Sequence, residues 1–135
     1  MDCLFCKIVN KEIPAEIIYE DSQAVAILDV HPKAPGHTMV LPKTHVGDLL
    51  DLPEEKIAPV FSAVKKVATL LKKSLKPDAF TIGINNGRMS GQLIDHLHIH
   101  VIPRWANDGG KSIHSVVDNL PKESLSDIRK KLLID

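Results

Sequence analysis

The sequence predicts an α+β fold in which helices cover one face of a five-stranded antiparallel sheet. Short apolar-rich segments, bounded by proline, glycine and acidic residues, recur along the chain and predict five strands. A long segment with helical spacing separates the third strand from the fourth, and a second amphipathic segment ends the chain. The face without helices is then left open for a ligand.

The first part of the chain supplies a short helix and three strands. Cys3–Val9 is interpreted as a short helix or turn that ends before Pro14. A hairpin follows around the turn residues 20–22, and the proline- and glycine-rich loop 31–36 precedes the third strand, which Pro42 closes. The three predicted strands are Ala15–Tyr19, Gln23–Val30 and His37–Leu41.

The long helix is predicted from apolar residues that recur every three or four positions, with lysines on the opposite side. These apolar residues are Ile57, Val60, Phe61, Val64, Val67, Ala68 and Leu71. Asp51 is a predicted N-cap, with Glu54 at capping-box spacing. Pro59 is expected to kink or restart the helix.

Two more strands and a last helix follow. The strands are predicted at Phe80–Asn85 and Leu93–Pro103, with a glycine-containing loop at 86–91 between them. Pro121 is expected in the first turn of the last helix. The apolar positions of that helix are Leu125, Ile128, Leu132 and Leu133.

Length and charge restrict the possible functions. The chain has 135 residues, which predicts one domain over residues 1–135. Its 17 basic side chains equal its 17 acidic ones, so nothing indicates a surface for nucleic acid or an anionic membrane. No apolar run approaches the ~20 residues of a membrane span, and no signal peptide is evident. We therefore expect a cytoplasmic protein.

His96, His98 and His100 alternate with Leu97, Ile99 and Val101. Strict alternation is typical of a half-buried strand, whose side chains point to opposite faces in turn. The apolar residues are then expected in the core and the histidines in a row on the other face. Aligned imidazoles add nothing to packing, so the pattern indicates chemistry: metal ligation, proton transfer or nucleophilic attack.

The composition near the histidines favours nucleophilic attack over a metal-dependent hydrolase. A hydrolase with two metals needs carboxylates around them. The strand and the loop before it offer only Asp95, which alternation places on the opposite face. A neutral imidazole already has a free lone pair and can attack phosphorus at neutral pH. Three surface histidines with no function are the less favoured alternative.

Cys3 and Cys6 form a C-x-x-C pair. In a reducing compartment a stable disulfide is not expected. Half a zinc site is the first interpretation, and a redox pair is the second. A closed site needs two more ligands. The candidates are His31, His37, His45, His114 and the three alternating histidines. Two small buried residues at this spacing are the simpler alternative.

Other polar residues are candidates for binding an anion. His37 opens a predicted strand and is either a fourth catalytic histidine or an ordinary strand residue. The segment from Asn85 to Gln92 offers amides and backbone N–H groups that suit a phosphate or oxyanion, although glycine and asparagine also simply make turns. Asp29 ends a strand and is either a solvated carboxylate or an acceptor for a sugar hydroxyl.

Taken together, these pieces resemble the histidine-triad (HIT) superfamily of nucleotide hydrolases and transferases, in particular its zinc-bearing, Hint-like branch. The matching segments lie in order within residues 1–104, and the extension 105–135 is not covered. They are Cys3-x-x-Cys6, Ile17-Ile18-Tyr19-Glu20-Asp21, Leu28-Asp29-Val30, Pro35-Gly36-His37, Leu41-Pro42-Lys43-x-His45, Asn85-x-Gly87, Gly91-Gln92 and the alternating histidines.

The resemblance implies a dimer in which two five-stranded sheets join across the long helix and the fourth strand into a ten-stranded sheet. The implied substrate is a purine nucleoside monophosphate joined to an amine, acyl or phosphate leaving group. His98 would attack the α-phosphorus and form a nucleotidyl-histidine. A nucleotide-binding dimeric scaffold with little turnover is the alternative.

The resemblance also implies a role for the other site residues. His37 and His100 would hold phosphate oxygens and manage protons, and Asn85 and Gln92 would contact the phosphate or leaving group. Asp29 would bind the ribose hydroxyls. The residues implied for the base pocket are Phe5, Ile8, Ile27 and Val30.

In zinc-bearing relatives, the first triad histidine and the histidine of the Pro-Lys-x-His segment complete the metal site. The resemblance therefore implies one structural zinc ion per chain, held by Cys3, Cys6, His45 and His96. This sequence departs from the family pattern at Leu93, where a serine or threonine hydroxyl is common and can assist the leaving group. The class of leaving group is therefore left open.

Overall fold

The computed structural model describes residues 2–133, which form a five-stranded antiparallel sheet with helices on it. The strands lie in the order β1-β2-β3-β5-β4. Their bounds are β1 Ile17–Glu20, β2 Ala24–Leu28, β3 Thr38–Pro42, β4 Ala79–Gly83 and β5 Ile99–Arg104. The helices are α1 Leu4–Val9, α2 Glu54–Leu75 and α3 Leu125–Leu132. The predicted α+β class and all five strands are confirmed.

Asp21 makes the turn between β1 and β2. Its Oδ1 accepts hydrogen bonds from the backbone N–H groups of Gln23 (2.7 Å) and Ala24 (2.8 Å). This is the local side-chain-to-backbone bonding for which aspartate is favoured in turns. The turn lets β1 and β2 pair directly as the predicted hairpin.

Helix α2 packs on one face of the sheet and α1 on the other. The core under α2 is formed by alternate residues of β2, β3 and β5. Its buried members are Ala24, Ala26, Val40, Val60, Ala63, Val64, Val67, Leu71, Ile99 and Val101. The core under α1 contains Cys3, Phe5, Ile8, Val25, Ile27, Met39 and Leu41. The expectation that this second face is free was wrong where α1 covers it. Toward β4 and β5 the same face remains half-exposed.

The start of α2 differs from the prediction. Pro53 is its N-cap, and Asp51 belongs instead to a short 3₁₀ turn, Leu49–Asp51, whose own cap is Asp48. Helix α2 continues through Pro59 without a break. The predicted Asp51 cap was wrong because the chain makes a separate turn between β3 and the helix.

The C-terminal part of the described chain lies outside both cores. Helix α3 is capped by Ser124, which accepts from the backbone N–H of Asp127 at 3.1 Å. Pro121 therefore precedes the helix, and its predicted place in the first turn was wrong. The single domain predicted over 1–135 includes Met1, Ile134 and Asp135, which lie outside the described residues. Across residues 2–133 no helix combines the length and the apolarity that crossing a bilayer requires.

Candidate active site and metal centre

The alternating histidines lie on the face of the sheet that carries α1. His96 and His98 are buried, at 0% and 7% exposure, and His100 is half-buried. The Phe5 ring of α1 meets both buried imidazoles edge-on, with ring centroids 5.9 Å from His96 and 5.1 Å from His98. The predicted row is present, and α1 packs over its first two members.

The strand itself is shorter than Leu93–Pro103. The backbone N–H groups of His96 and Leu97 donate to the carbonyls of Ile94 and Val46 rather than to β3, and ladder pairing begins at Ile99 opposite Val40. The side chains of His96 and Leu97 are both buried. Successive side chains therefore do not alternate between a buried and an exposed face before the strand begins. His96 and His98 therefore lie in an irregular, enclosed lead-in to β5.

Hydrogen bonding assigns the tautomer of His98. Its Nδ1 lies 2.8 Å from the carbonyl oxygen of His96. A carbonyl only accepts, so Nδ1 carries the proton and donates, and Nε2 of the neutral ring holds a bare lone pair. Among residues 2–133 no protein group pairs with that nitrogen. Nε2 of His98 is thus a bare ring nitrogen, the chemical form that a nucleophile or a ligand requires.

A chain of hydrogen bonds sets the tautomers of the neighbouring histidines. The backbone N–H of Lys33 donates to Nδ1 of His37 at 3.0 Å. The proton of neutral His37 is therefore on Nε2, which lies 2.9 Å from Nδ1 of His100 and donates to it. His100 in turn carries its proton on Nε2. Its ring centroid is 5.1 Å from that of His98, so a donor ring stands beside the imidazole of His98.

Burial keeps this pair of histidines neutral. The pKa of His100 falls from 6.5 to about 4, mainly through burial and further through the neighbouring His98 and His37. Burial also lowers the pKa of His37, although Asp29 opposes the shift. The Asp29 carboxylate accepts from the backbone N–H of His31 and lies 3.5 Å from Nε2 of His37. Both imidazoles are neutral hydrogen-bonding groups at pH 7.

Asp29 and His37 line a cleft of about 430 Å³ at the loop between β2 and β3. Asp29, His37 and His100 also bring one oxygen or nitrogen each within 4.8 Å of one another. The hydrogen bond between the two imidazoles accounts for that proximity without a metal ion.

Cys3, Cys6, His45 and His96 form a second cluster, in which the four ligand atoms lie within 4.8 Å of one another. Nδ1 of His96 is 3.5 Å from Sγ of Cys3, 3.6 Å from Sγ of Cys6 and 3.2 Å from Nδ1 of His45. A tetrahedral zinc ion with ordinary bond lengths holds sulfur and nitrogen about 3.5 Å apart and two nitrogens about 3.3 Å apart. The donor set and its spacing therefore fit zinc.

The surroundings of the cluster also suit a metal. Nε2 of His96 lies 2.9 Å from the carbonyl oxygen of Pro42 and donates to it, which leaves Nδ1 bare for a metal ion. Cys3 is the N-cap of α1, and its sulfur accepts from the backbone N–H of Cys6 at 3.4 Å. Both cysteines are unpaired with one another in the structure.

Gln92 is buried, and its amide is occupied by backbone groups. Its Oε1 accepts from the N–H of Gly87 at 2.8 Å, and its Nε2 donates to the carbonyls of Gly47 (2.7 Å) and Ile94 (2.9 Å). These bonds hold the loop before the histidines in place. Contact of Gln92 with a phosphate or leaving group stays a prediction, as does the role of Asn85, whose exposed side chain lies on the same loop.

The residues expected in the base pocket do not share one environment. Phe5, Ile8 and Ile27 are 4%, 7% and 3% exposed and lie together in the core under α1, whereas Val30 is 83% exposed. The first three have little surface left for a ligand. Their base-binding role stays a prediction.

Three backbone groups of the site were not foreseen from the sequence: the N–H of Lys33 and the carbonyls of Pro42 and His96. Each selects which nitrogen of a histidine carries the proton. The sequence offered only an indirect signal, since Pro32, Pro35 and Pro42 restrict the backbone beside the first two groups.

Comparison with known proteins agrees with this architecture. The family model described as "HIT domain" matches residues 10–107. A HIT-like protein of Methanocaldococcus jannaschii is 45% identical over 79% of this chain and 82% of its own. The adenylylsulfatase HINT3 of Arabidopsis thaliana is 34% identical over 97% of this chain and 70% of its own. The adenosine 5'-monophosphoramidase hnt1 of Schizosaccharomyces pombe is 38% identical over 84% of this chain and 82% of its own.

Solved structures extend the likeness to three dimensions. A HIT family protein of Bacillus subtilis superposes with a TM-score of 0.86 at 32% identity, covering 98% of this chain and 95% of that one. A zinc-bound histidine triad protein of Mycobacterium smegmatis gives a TM-score of 0.76 at 36% identity, covering 91% and 85%. Fold and site thus define a histidine-triad protein. The chain belongs to the HIT family, and the resemblance to that family drawn from the sequence is confirmed.

Proposed function

We propose that this protein hydrolyses conjugates of nucleoside monophosphates, with His98 as the nucleophile. One observation carries the proposal: the His96 carbonyl fixes the proton of His98 on Nδ1 and leaves Nε2 bare beside the donor ring of His100. The activities named for the plant and yeast relatives, an adenylylsulfatase and an AMP phosphoramidase, support a bond to the α-phosphorus as the one that is cleaved.

In the proposed reaction Nε2 of His98 attacks the α-phosphorus and displaces the leaving group. The new bond is phosphorus to nitrogen, and the broken bond is phosphorus to the leaving atom, which departs with the bonding pair and is protonated. Water then attacks the nucleotidyl-histidine: a phosphorus–oxygen bond forms, and the phosphorus–nitrogen bond breaks with its electron pair returning to Nε2 of His98. The proton that water loses balances the one taken up by the leaving atom, and nucleoside monophosphate is released. The Nδ1–H bond to the His96 carbonyl stabilises the positive charge that builds on the ring during attack.

In this proposal the two neutral histidines, His37 and His100, provide a hydrogen-bond donor to the phosphoryl group. Because His37 donates to Nδ1 of His100, Nε2–H of His100 is available to a phosphoryl oxygen or to the leaving atom. Asp29 would accept the ribose hydroxyls, and Asn85 would contact the phosphate or leaving group. Gln92 would act through the loop that it holds.

We further propose that Cys3, Cys6, His45 and His96 hold one zinc ion per chain, in a structural role. The four ligands would fill its coordination shell, so no open position would remain for water or substrate. The ion would tie α1 to the lead-in of β5, while Nε2 of His98 stays outside the cluster. The zinc-bound relative from Mycobacterium smegmatis supports this assignment.

A homodimer formed at the β4 edge is the last part of the proposal. β4 is an edge strand of the sheet, and a groove between it and α2 is lined by Ala68, Phe80 and three lysines. Phe61 and Ile82, at 40% and 44% exposure, add apolar surface on these two elements. Pairing of two β4 edges would cover both features and extend the sheet to ten strands.

The decisive experiment follows release of AMP from adenosine 5'-monophosphoramidate and from adenylyl sulfate. Wild type should turn over at least one of them, and H98A should release no AMP above background. H114A, which removes an exposed histidine outside the site, is the matched control and should keep wild-type rates. Wild-type protein quenched in alkali during turnover should carry AMP on the peptide that contains His98.

Equal turnover by wild type and H98A would remove the mechanism. Tight AMP binding with no turnover of either conjugate would favour the alternative, a nucleotide-binding scaffold.

A further inference from the structure

Cys3 and Cys6 supply both sulfur ligands of the metal cluster, and both come from one short segment. Cys3 directly precedes α1 and Cys6 lies in its first turn, whereas the two nitrogen ligands, His45 and His96, belong to other parts of the chain. The C-x-x-C spacing is also that of dithiols that are oxidised and reduced. Zinc binding alone does not use that chemistry.

The two sulfurs are close enough to bond to one another. They lie within 4.8 Å in the cluster, and Sγ of Cys3 already faces the backbone N–H of Cys6, from which it accepts at 3.4 Å. A disulfide brings two sulfurs to about 2 Å. Rotation about the Cα–Cβ bonds of the two cysteines is the movement required. Because the cysteines are three positions apart, this closure involves no other segment of the chain.

The two sulfurs differ in their access to solvent. Cys3 is buried at 8% exposure, whereas Cys6 is half-buried. A small oxidant from solution therefore reaches Cys6 first. Cysteines that bind a metal are held as thiolates, and the thiolate is the form of sulfur that attacks an oxidant. In a reducing compartment the resulting disulfide is transient, as redox-sensing disulfides usually are.

We propose that Cys3 and Cys6 form an oxidation site for peroxides, at which formation of a disulfide releases the metal ion. The inference rests on the zinc ligand set put forward under Proposed function. A disulfide keeps no thiolate for a metal, and two imidazoles do not complete a closed zinc site. One reaction therefore removes half of the ligand set.

The reaction consumes one molecule of hydrogen peroxide. The Cys6 thiolate attacks a peroxide oxygen, the O–O bond breaks, and a sulfenic acid forms while hydroxide leaves. The Cys3 thiolate then attacks the sulfur of Cys6. The S–S bond forms, and the S–O bond breaks with its electron pair on a second hydroxide. The two sulfurs lose two electrons in total, peroxide gains them, and the two hydroxides take two protons from the medium.

Oxidation separates α1 from the lead-in to β5. Nδ1 of His45 and Nδ1 of His96 lie 3.2 Å apart, and once the sulfurs are bonded to each other neither nitrogen is tied to α1 through a metal. Helix α1 then stays on the sheet chiefly through its buried side chains, Phe5 and Ile8. The Phe5 ring centroid is 5.1 Å from that of His98, so a change at the sulfurs extends to the neighbouring site.

The test adds hydrogen peroxide in steps to the purified wild-type protein loaded with zinc. Released zinc is read with a colorimetric chelator, thiols with a thiol reagent, and the tryptic peptide 1–7, which holds both cysteines of the chain, by mass spectrometry. We expect one zinc ion released and two thiols lost for each peroxide consumed, and a peptide lighter by two hydrogens. Dithiothreitol and added zinc should restore the starting state.

Two variants serve as matched controls. M89L removes a fully exposed methionine, which is a competing target for peroxide, and should release zinc as wild type does. C3S keeps Cys6 but lacks the second sulfur, so its sulfenic acid should persist and be trapped by dimedone, about tenfold or more above wild type. Circular dichroism checks that both variants are folded.

Thiols lost as sulfinic acid, or lost while zinc stays bound, would overturn this inference and leave the ligand assignment intact. Zinc release in wild type but not in M89L would assign the release to methionine oxidation and overturn it as well. A purified protein that contains no zinc and takes up none would remove the ligand set and this inference together. AMP release and its loss in H98A are measured without peroxide, so the catalytic proposal is judged separately.

Discussion

His96 and His98 are the same residue type two positions apart, and the fold uses opposite nitrogens of their rings. His96 donates through Nε2 to the carbonyl of Pro42 and leaves Nδ1 bare among two thiols and His45. His98 donates through Nδ1 to the carbonyl of His96 and leaves Nε2 bare beside His100. In both cases a backbone carbonyl decides which nitrogen is available for chemistry.

The surroundings of the two bare nitrogens differ as well. The nitrogen of His96 faces two thiols and one imidazole and completes a set of four soft and borderline ligands, which suits a closed metal site. The nitrogen of His98 has no protein partner among residues 2–133, and its neighbour is a neutral donor. The comparison teaches that two things decide what a histidine can do: the hydrogen bond that fixes the proton on one ring nitrogen, and the groups that face the other nitrogen. Its place in a motif does not decide this.

The largest expected effect is the loss of turnover in H98A, which distinguishes His98 from His96. H98A should reduce turnover about a thousandfold or more, since it removes the nucleophile. Zinc content should stay near wild type because the four proposed ligands are untouched, and the melting temperature should fall only by the cost of truncating one buried side chain that contacts Phe5. Rates, metal analysis and thermal melts on one preparation test this. Loss of zinc in H98A would show that the two sites are not independent.

The converse variant, H45A, should act on stability. It removes one of the four proposed ligands. If zinc is no longer bound, the folded state loses about 4 kcal/mol of stabilisation where free zinc exceeds its Kd a thousandfold. For a chain of this length that corresponds to a fall in Tm of roughly 12–16 °C. Zinc per chain and Tm are the measurements, and H114A is the control. A wild-type melting temperature in H45A, with one zinc ion still bound, would exclude His45 from the ligand set.

The sequence predicted the row of histidines from strand alternation, but only His100 lies in β5, and His96 and His98 precede the strand. It could not predict the tautomers, because their partners are backbone groups: the Pro42 carbonyl is 54 positions from His96, and the Lys33 N–H lies in an irregular loop. The C-x-x-C pair predicted a metal site, but seven histidines left its other ligands open until the family resemblance named them. Asp51 failed as a helix cap because capping-box spacing does not reveal an intervening 3₁₀ turn.

The next prediction tests whether the relay from Lys33 through His37 orients His100. H37L removes the donor to Nδ1 of His100, and that ring can then take the wrong tautomer. We expect kcat to fall about a hundredfold, within the range for lost acid–base groups. H37Q offers an amide oxygen for the Lys33 N–H and an amide N–H for His100, and should retain a larger share of activity. Equal losses in both variants would mean that the imidazole of His37 acts directly on substrate.

The smallest expected effect is on stability in mild acid. The pKa of His100 is about 4 in the folded chain, because of its burial and of His98 and His37 beside it, and 6.5 is its ordinary value. Between these values the unfolded chain takes up a proton that the folded chain does not, so stability is retained above pH 6.5 and falls as the pH is lowered toward 4. The loss from this group between pH 7 and pH 5 is about 2 kcal/mol.

H100N removes that proton uptake while keeping a hydrogen-bonding side chain. Its free energy of unfolding should therefore decline less steeply than that of wild type over the same range, measured by denaturant titration at pH 7, 6 and 5. Subtracting the two profiles cancels the acid loss of zinc, which both proteins share, and leaves the part due to His100. Parallel profiles would mean that His100 is protonated in the folded chain, and the donor arrangement beside His98 would then need a charged ring rather than a neutral one.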